Sequence, residues 1–478
     1  MKMAHQKKFK KTHPYSILRQ MRISVLLILL SVLQQFLVRP QGLLEIIGSL
    51  GLNAFYVTVI LSYTLSVYGN FKYCTDAHCV HICKGVFIRK SFTIPYHSIR
   101  TIVFYRDIFS SLFGAERISI DTPAGSTRRY DMTSYFSRRI ASDIRNMLHR
   151  KTVSAVSYRS RTMSIIVMAA FWSNPVTGLI FIVPVVNNAG KILGREVADN
   201  LVRSSIYSPV RYMVHFISPA AATIASVILV SWTISMILCF LRYVRLCTYR
   251  IGDYIIISRG LLSHSMTYTR VSGISSVNID QSLLMKLMHL KSCSISVIGS
   301  GKLKGDKGMI LSAEKAEDIR RKMTDLTGIT HDEVKRISVA RGSIFTYIRL
   351  PLLALLLPAG FFMLRYLLPQ LRETITFLSY VVLFVVLWWL LFRIFAYRSS
   401  YIAFSQQCLI VCSYHRLTLR KYYIPFDNIQ KIEVSQSTMQ KYSGKCNVHV
   451  CLYAEKRTIC TVRQLPKSQV DQILENSG

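Results

Sequence analysis

SFTIPYHSIRTIVFYRDIF (91–109) decides how this chain reads, because it occurs three times. Apolar and polar residues alternate on either side of an Ile-Pro corner, which is the period of a half-buried strand interrupted by a turn. TYTRVSGISSVNIDQSLL (267–284) and YYIPFDNIQKIEVSQSTM (422–439) carry the same pattern. Setting Ile94-Pro95-Tyr96 on Thr269-Arg270-Val271 and Ile424-Pro425-Phe426 gives offsets of 175 and 155 residues. Without gaps these place Ile99 on Ile274 and Ile429, and Ile102 on Val277 and Ile432. Arg106-Asp107 then falls on Gln281-Ser282 and Gln436-Ser437, and Gly85 on Gly260. Period-two alternation with Val, Ile, Tyr and Phe predicts several short strands per copy. Amphipathic segments at 133–148, 312–326 and 466–474 predict a closing helix for each, with Ser312 able to cap the second.

Outward from the copies lie apolar runs. They are 23–38, 45–67, 163–186, 218–241, 350–364 (extendable to 368) and 375–392. Each is near the roughly 20 apolar residues that cross a bilayer. Composition agrees: 51% of the chain is hydrophobic, yet it carries a formal charge of +36, so the two are segregated along the sequence. Residues 1–22 hold seven Lys and Arg and no acid. Residues 70–162, 244–344 and 398–478 hold 16, 16 and 11 basic residues against 6, 9 and 5 acidic ones. Positive segments stay cytoplasmic, so both termini and all three copies are expected inside. The expected order is a basic N-terminus (1–22), spans one and two (23–68), domain one (70–150), and spans three and four with an external loop (163–241). Domain two (244–328), spans five and six (345–397) and domain three (398–478) follow.

Two spans then one strand-rich domain, three times over, resembles the bacterial membrane-flanked domain proteins, and among them the three-domain YdbT-like members. The matching residues are the I-P-[YF]-x-x-I-x-x-I block at 94–102 and 424–432, its degenerate form at 269–277, and the Gln-Ser after it in copies two and three. Copy two has Arg270 in place of the proline, and copy one has Arg106-Asp107 in place of Gln-Ser. The resemblance implies a six-span α-helical membrane protein with three cytoplasmic pleckstrin-homology-like β-barrels, each of seven strands capped by a C-terminal helix. It implies no reaction and no cofactor. It suggests a single-domain membrane-flanked partner or self-association, and some members are connected with tolerance to secreted antimicrobial compounds.

YCTDAHCVHICKG (73–85) offers Cys74, His78, Cys79, His81 and Cys83. Cys79, His81 and Cys83 share one strand face, and thiolate with imidazole is a zinc donor set. By the gap-free offsets these three fall on Tyr254, Ile256 and Ser258, and on Leu409, Val411 and Ser413, which are apolar or small as a packed strand requires. A structural strand is therefore the expectation and a metal site the alternative. GSGKLKGDKG (299–308) lacks the spacing of a phosphate loop. Its Lys302, Lys304 and Lys307 are expected either in a plain loop or on lipid head groups. Arg89, Lys90, Arg128, Arg129, Arg416, Arg420 and Lys421 stand as further anionic-lipid candidates, against the alternative that they only set topology.

No Ser/His/Asp order or carboxylate pair stands out, so no enzyme is expected. Basic charge divided among three tethered domains argues against nucleic acid. The expected role is a non-enzymatic scaffold or envelope assembly factor in the cell membrane, binding anionic lipids and protein partners. The competing class is a transport or export component regulated by its domains.

Overall fold

The computed structural model describes residues 9–21, 43–76, 78–122, 130–149, 155–173, 219–297, 308–329, 335–415, 418–452 and 458–475. Copy one contributes β1 (Lys10–Lys11), β2 (Lys72–Thr75), β3 (Cys79–Lys84), β4 (Lys90–Pro95), β5 (Thr101–Arg106), β6 (Ala115–Asp121) and β7 (Met132–Ser137). Copy two contributes β8 (Ala155–Arg159), β9 (Cys247–Ile251), β10 (Tyr254–Arg259), β11 (His264–Arg270), β12 (Ile274–Ser282), β13 (Leu290–Val297) and β14 (Met309–Lys315). Copy three contributes β15 (Lys335–Ser338), β16 (Tyr401–Phe404), β17 (Cys408–His415), β18 (Thr418–Pro425), β19 (Ile429–Ser435), β20 (Lys445–Leu452) and β21 (Thr458–Pro466). Seven strands per copy is the expected number.

Their connection is not the expected one. The sheets run β1-β2-β3-β4, then β7-β6-β5-β11-β10-β9-β8, then β14-β13-β12-β18-β17-β16-β15, then β19-β20-β21. Each seven-stranded sheet is thus built from the second half of one copy and the first half of the next. The corner that makes this possible is a one-turn 3-10 helix at Tyr96–Ser98, Val271–Gly273 and Phe426–Asn428, preceded by proline in copies one and three and by Arg270 in copy two. Pro95 and Pro425 end their strands in extended conformation and lead into 3-10 turns at Tyr96–Ser98 and Phe426–Asn428. Proline has no N–H for a ladder and so favours leaving the strand in copies one and three, while Arg270 makes the same exit in copy two.

Each copy also starts earlier than the expected boundaries. β1, β8 and β15 precede the apolar pairs and return to edge β2, β9 and β16. These leading strands are two to five residues long, too short to show alternation. The closing helices are Arg138–His149, Ala316–Thr327 and Lys467–Glu475. They begin later than the amphipathic pattern because β7 and β14 take its first turn and β21 its first residue, Pro466. Ser312 is accordingly a buried strand residue, and the cap position of its helix is Lys315, without a side-chain bond.

The Asp107, Ser282 and Ser437 positions have a structural cause. Each side chain accepts from the backbone N–H three residues on, at 2.7, 3.2 and 3.4 Å, and starts a five-residue helix. Gln281 and Gln436 lock the same turn by donating to Leu290 O (3.1 Å) and Lys445 O (2.8 Å). Gly85 and Gly260 take positive φ, +117° and +96°. A Cβ there would meet Ile88 O at 1.9 Å or Ser263 O at 2.0 Å, so only glycine fits. Gly260→Ala is expected to cost about 1–3 kcal/mol of local strain and to raise amide exchange across residues 258–265. Unchanged exchange would contradict the turn.

Three helices among the described residues are long and apolar enough to cross a membrane: Ala225–Tyr243, Ile344–Leu367 and Pro369–Ser399. The fifth expected run starts at Ile344, earlier than its apolar core, and bends after Pro351 where Ala354 gives way to Leu356. Ser379 donates to Pro358 O at 2.9 Å and ties this helix to the last one. The second run lies in a 28-residue helix, Leu43–Asn70. The third shows Thr162–Trp172 within the described residues, and the first run and the 187–217 loop lie outside them. The described residues therefore support three such helices rather than the expected six.

Candidate functional site

The β10–β11 hairpin tip sits on the end of a membrane-length helix. Gly260 N–H donates to Val244 O (2.8 Å) and Leu261 N–H to Leu241 O (3.2 Å), just where helix Pro219–Tyr243 ends. These bonds satisfy terminal carbonyls that a helix leaves open. Leu261 and Leu262, half exposed at 49% and 50%, lie at that boundary. The matching tip of copy one, between β3 and β4, carries Phe87 at 90% and Ile88 at 73% exposure, followed by the exposed cations Arg89 and Lys90. Two large apolar side chains beside two cations make a local version of the surface that lies in a bilayer interface.

The junctions between copies are the second feature. β5 pairs antiparallel with β11, setting Thr101 opposite Thr269, Ile102 opposite Tyr268 and Tyr105 opposite Ser265. β12 pairs with β18 in the same register, setting Val277 opposite Tyr423 and Asp280 opposite Arg420. Tyr268 and Ile256 join the buried cluster of Ile102, Phe104, Ile118 and Phe136 from copy one. Cys408, Ile410, Cys412 and Tyr423 likewise join Ile279, Cys293 and Ile295 from copy two. One face of β10–β11 and of β17–β18 thus packs into the preceding copy.

The ladders also correct the alignment of the cysteines. Cys79 lies opposite Pro95 and Cys408 opposite Pro425, so Cys408, Ile410 and Cys412, not Leu409, Val411 and Ser413, occupy the positions of Cys79, His81 and Cys83. The β17–β18 hairpin is a residue out of step, and a one-residue slip turns every side chain to the other face.

In copy one that face has no preceding copy and is polar. His81 Nδ1 lies 2.7 Å from Thr93 Oγ1, and its Nε2 lies 2.9 Å from Asp76 Oδ2 and 3.2 Å from Cys79 Sγ. Cys74 Sγ is 3.7 Å from Asp76 Oδ1. The donor atoms of Asp76, Cys79 and His81 lie within 4.8 Å of one another. Carboxylate, thiolate and imidazole are donors zinc accepts, and Thr93 holds the ring from its far nitrogen as an outer partner does. The third donor brought to Cys79 and His81 is Asp76 rather than Cys83. The same contacts also satisfy one another as hydrogen bonds.

The cationic candidates separate. Arg89 and Lys90 are exposed. Arg128, Arg129, Lys302, Lys304, Lys307 and Arg416 lie outside the described residues. Arg420 is turned into the second junction and paired to Asp280 through two hydrogen bonds, one of them Nη2 to Oδ2 at 2.9 Å. Lys421 lies over the Tyr401 and Tyr423 rings at 5.6 and 5.0 Å. Sequence reasoning passed over Phe87, Ile88, Leu261 and Leu262, whose signal was an apolar pair inside a glycine turn next to basic residues.

A family model described as bacterial PH domain matches the chain three times, at residues 24–152, 194–327 and 352–477. No curated protein and no solved structure matches it.

Proposed function

Because this chain belongs to the bacterial PH domain family, we propose that it is a non-enzymatic membrane scaffold whose domains rest on the cytoplasmic leaflet and hold protein partners. The observation that carries this reading is the hairpin tip: apolar pairs at 87–88 and 261–262, the second bonded to the end of a membrane-length helix, the first followed by Arg89 and Lys90. Six spans, with both termini inside, would bring the two described tips to one leaflet. Leucine and phenylalanine would enter the interface while the cations meet anionic head groups, each contributing about 1 kcal/mol. Lys302, Lys304 and the other loop cations would add to this. The shared sheets would make the three domains one arm rather than three loose modules.

Arg89→Ala with Lys90→Ala is expected to remove about 2 kcal/mol of membrane contact, roughly a thirtyfold weakening. The check is amide exchange of residues 85–90 in full-length chain held in nanodiscs of neutral lipid, with and without phosphatidylglycerol. Slower exchange with the anionic lipid, lost in the variant, supports the reading. Equal exchange in both compositions removes its lipid half.

A further inference from the structure

The array of sheets has two unmatched ends. Among the described residues, β4 pairs only with β3, and β19 only with β20. In the two inner junctions the strand equivalent to β19 is covered by a strand equivalent to β4. β5 and β12 are largely buried as a result, whereas no residue of β19 is. Ile432 and Val434 share one face of β19, which continues the apolar cluster of Leu409, Val448 and Val450. Lys431 and Glu433 share the other face and pair with each other at 3.1 Å. Charge on an edge strand restrains indiscriminate pairing, while the apolar face keeps a reason to be covered.

The two ends do not match each other. The residue opposite Ile102 is Tyr268, and the one opposite Val277 is Tyr423, both 1% exposed. In the first copy that position is Thr93, which is exposed. Where copies two and three bury Ile256 and Ile410, the first copy has His81, tied to Asp76 and Thr93. Docking this face on β19 would bury hydrogen-bonded polar groups where both inner junctions bury a tyrosine and an isoleucine, and polar burial costs what apolar burial supplies. End units of stacked arrays carry polar outer faces for the same reason.

We propose that β19 is an acceptor edge for the β4-type strand of a PH-like domain on another polypeptide, one with an aromatic residue facing Ile432 and a branched aliphatic residue in the place of His81. The first domain, in contrast, is a polar cap that ends the array. The partner adds a strand in the register of the inner junctions, as an edge strand does when it recruits a ligand. This deepens the scaffold reading and rests on it for the partner's place at the membrane.

The test converts the chain's own cap into the missing partner. The inner register sets Lys90 opposite Ser435, so Lys90→Cys and Ser435→Cys are placed on separate full-length chains and mixed in nanodiscs under mild oxidation. Without further change, no cross-linked species at twice 54.7 kDa is expected. With His81→Ile and Thr93→Tyr added to the Lys90→Cys chain, the species should form, should need both new cysteines, and should vanish with Ile432→Lys. Thr93→Tyr alone serves if the double change disturbs the first domain. A cross-link already present with the native cap would overturn the proposal in favour of a second copy of this chain. No cross-link in either matched form, with unchanged amide exchange of β3 and β20, would show that β19 accepts no such strand. Exchange of residues 85–90 is read alongside in nanodiscs that hold the Ser435→Cys chain alone, in which Arg89 and Lys90 are intact. Loss of its lipid dependence counts against the membrane reading alone, and loss of the cross-link against the acceptor edge alone.

Discussion

Replacing Asp280 by asparagine is expected to open the second junction by about 3–5 kcal/mol. Asp280 and Arg420 face each other across β12 and β18, with side chains only 3% and 19% exposed. Burial by itself pushes the Arg420 guanidinium down. The Asp280 charge and its hydrogen bonds reverse this and hold Arg420 above its ordinary value. Asparagine keeps the shape and loses the charge, leaving a guanidinium in the junction with no counter-ion. That is the costly way to break a buried pair. Replacing both residues by leucine removes two charges together and should cost far less. Exchange of the β12 and β18 amides is the measurement, since a chain of several domains has no single unfolding midpoint. Asp280→Asn should lower their protection a hundredfold or more and leave β5 and β11 little changed. A loss below about 1 kcal/mol would place this pair among ordinary surface pairs.

That pair also marks where the sequence stopped being readable. Asp280 and Arg420 are 140 residues apart, and nothing in either stretch names the other. The corner at Ile94-Pro95 was legible. The caps at Asp107, Ser282 and Ser437 and the glycine turns showed in the sequence only as matching positions of the repeat, although each is enforced by local sterics or a bond three residues away. Strand pairing between copies is different. Alternation reports which face is buried and says nothing of which strand lies alongside. ISSVNID (274–280) shows why: every residue of it is buried, yet its Ser, Asn and Asp read as the polar face of a half-exposed strand. Burial on both faces is the mark of a central strand rather than a barrel edge. The leading strands left no trace, and Lys10–Lys11 reads as plain positive charge. The candidate site divides the same way. Arg89 and Lys90 were found from charge, Phe87 and Ile88 needed the exposed tip, and Arg420 looked like its neighbours until its partner came from another copy.

Tyr268→Ala is expected to cost about 3–5 kcal/mol, at the first junction rather than the second. The ring is 1% exposed and meets Phe104 edge to face, with centroids 5.4 Å apart and planes at 69°. Arg145, from the closing helix of copy one, lies over Phe104 at 5.4 Å and pairs with buried Glu116 at 3.2 Å. One side chain of copy two therefore fills the core of copy one, and its removal leaves a cavity that neither copy can close alone. Tyr268→Phe keeps the packing and separates out the phenol. Burial pushes that phenol from 10.0 up to about 12, with Arg145 opposing and Glu116 adding to the shift. A group whose pKa rises on folding gives its full stability below the unfolded value. From about pH 10 to 12 the unfolded chain ionises while the folded one does not, so stability falls there by about 1.4 kcal/mol per unit, some 2–3 kcal/mol in all. The difference between wild type and Tyr268→Phe in the protection of β5 and β11 from proteolysis should accordingly shift against wild type above pH 10, with the common titration of lysines cancelling. A difference that stays flat from pH 9 to 12 would mean that the hydroxyl reaches water and that the junction is looser than its packing indicates. A flat difference together with a small Tyr268→Ala loss would remove the first junction as the link between copies one and two.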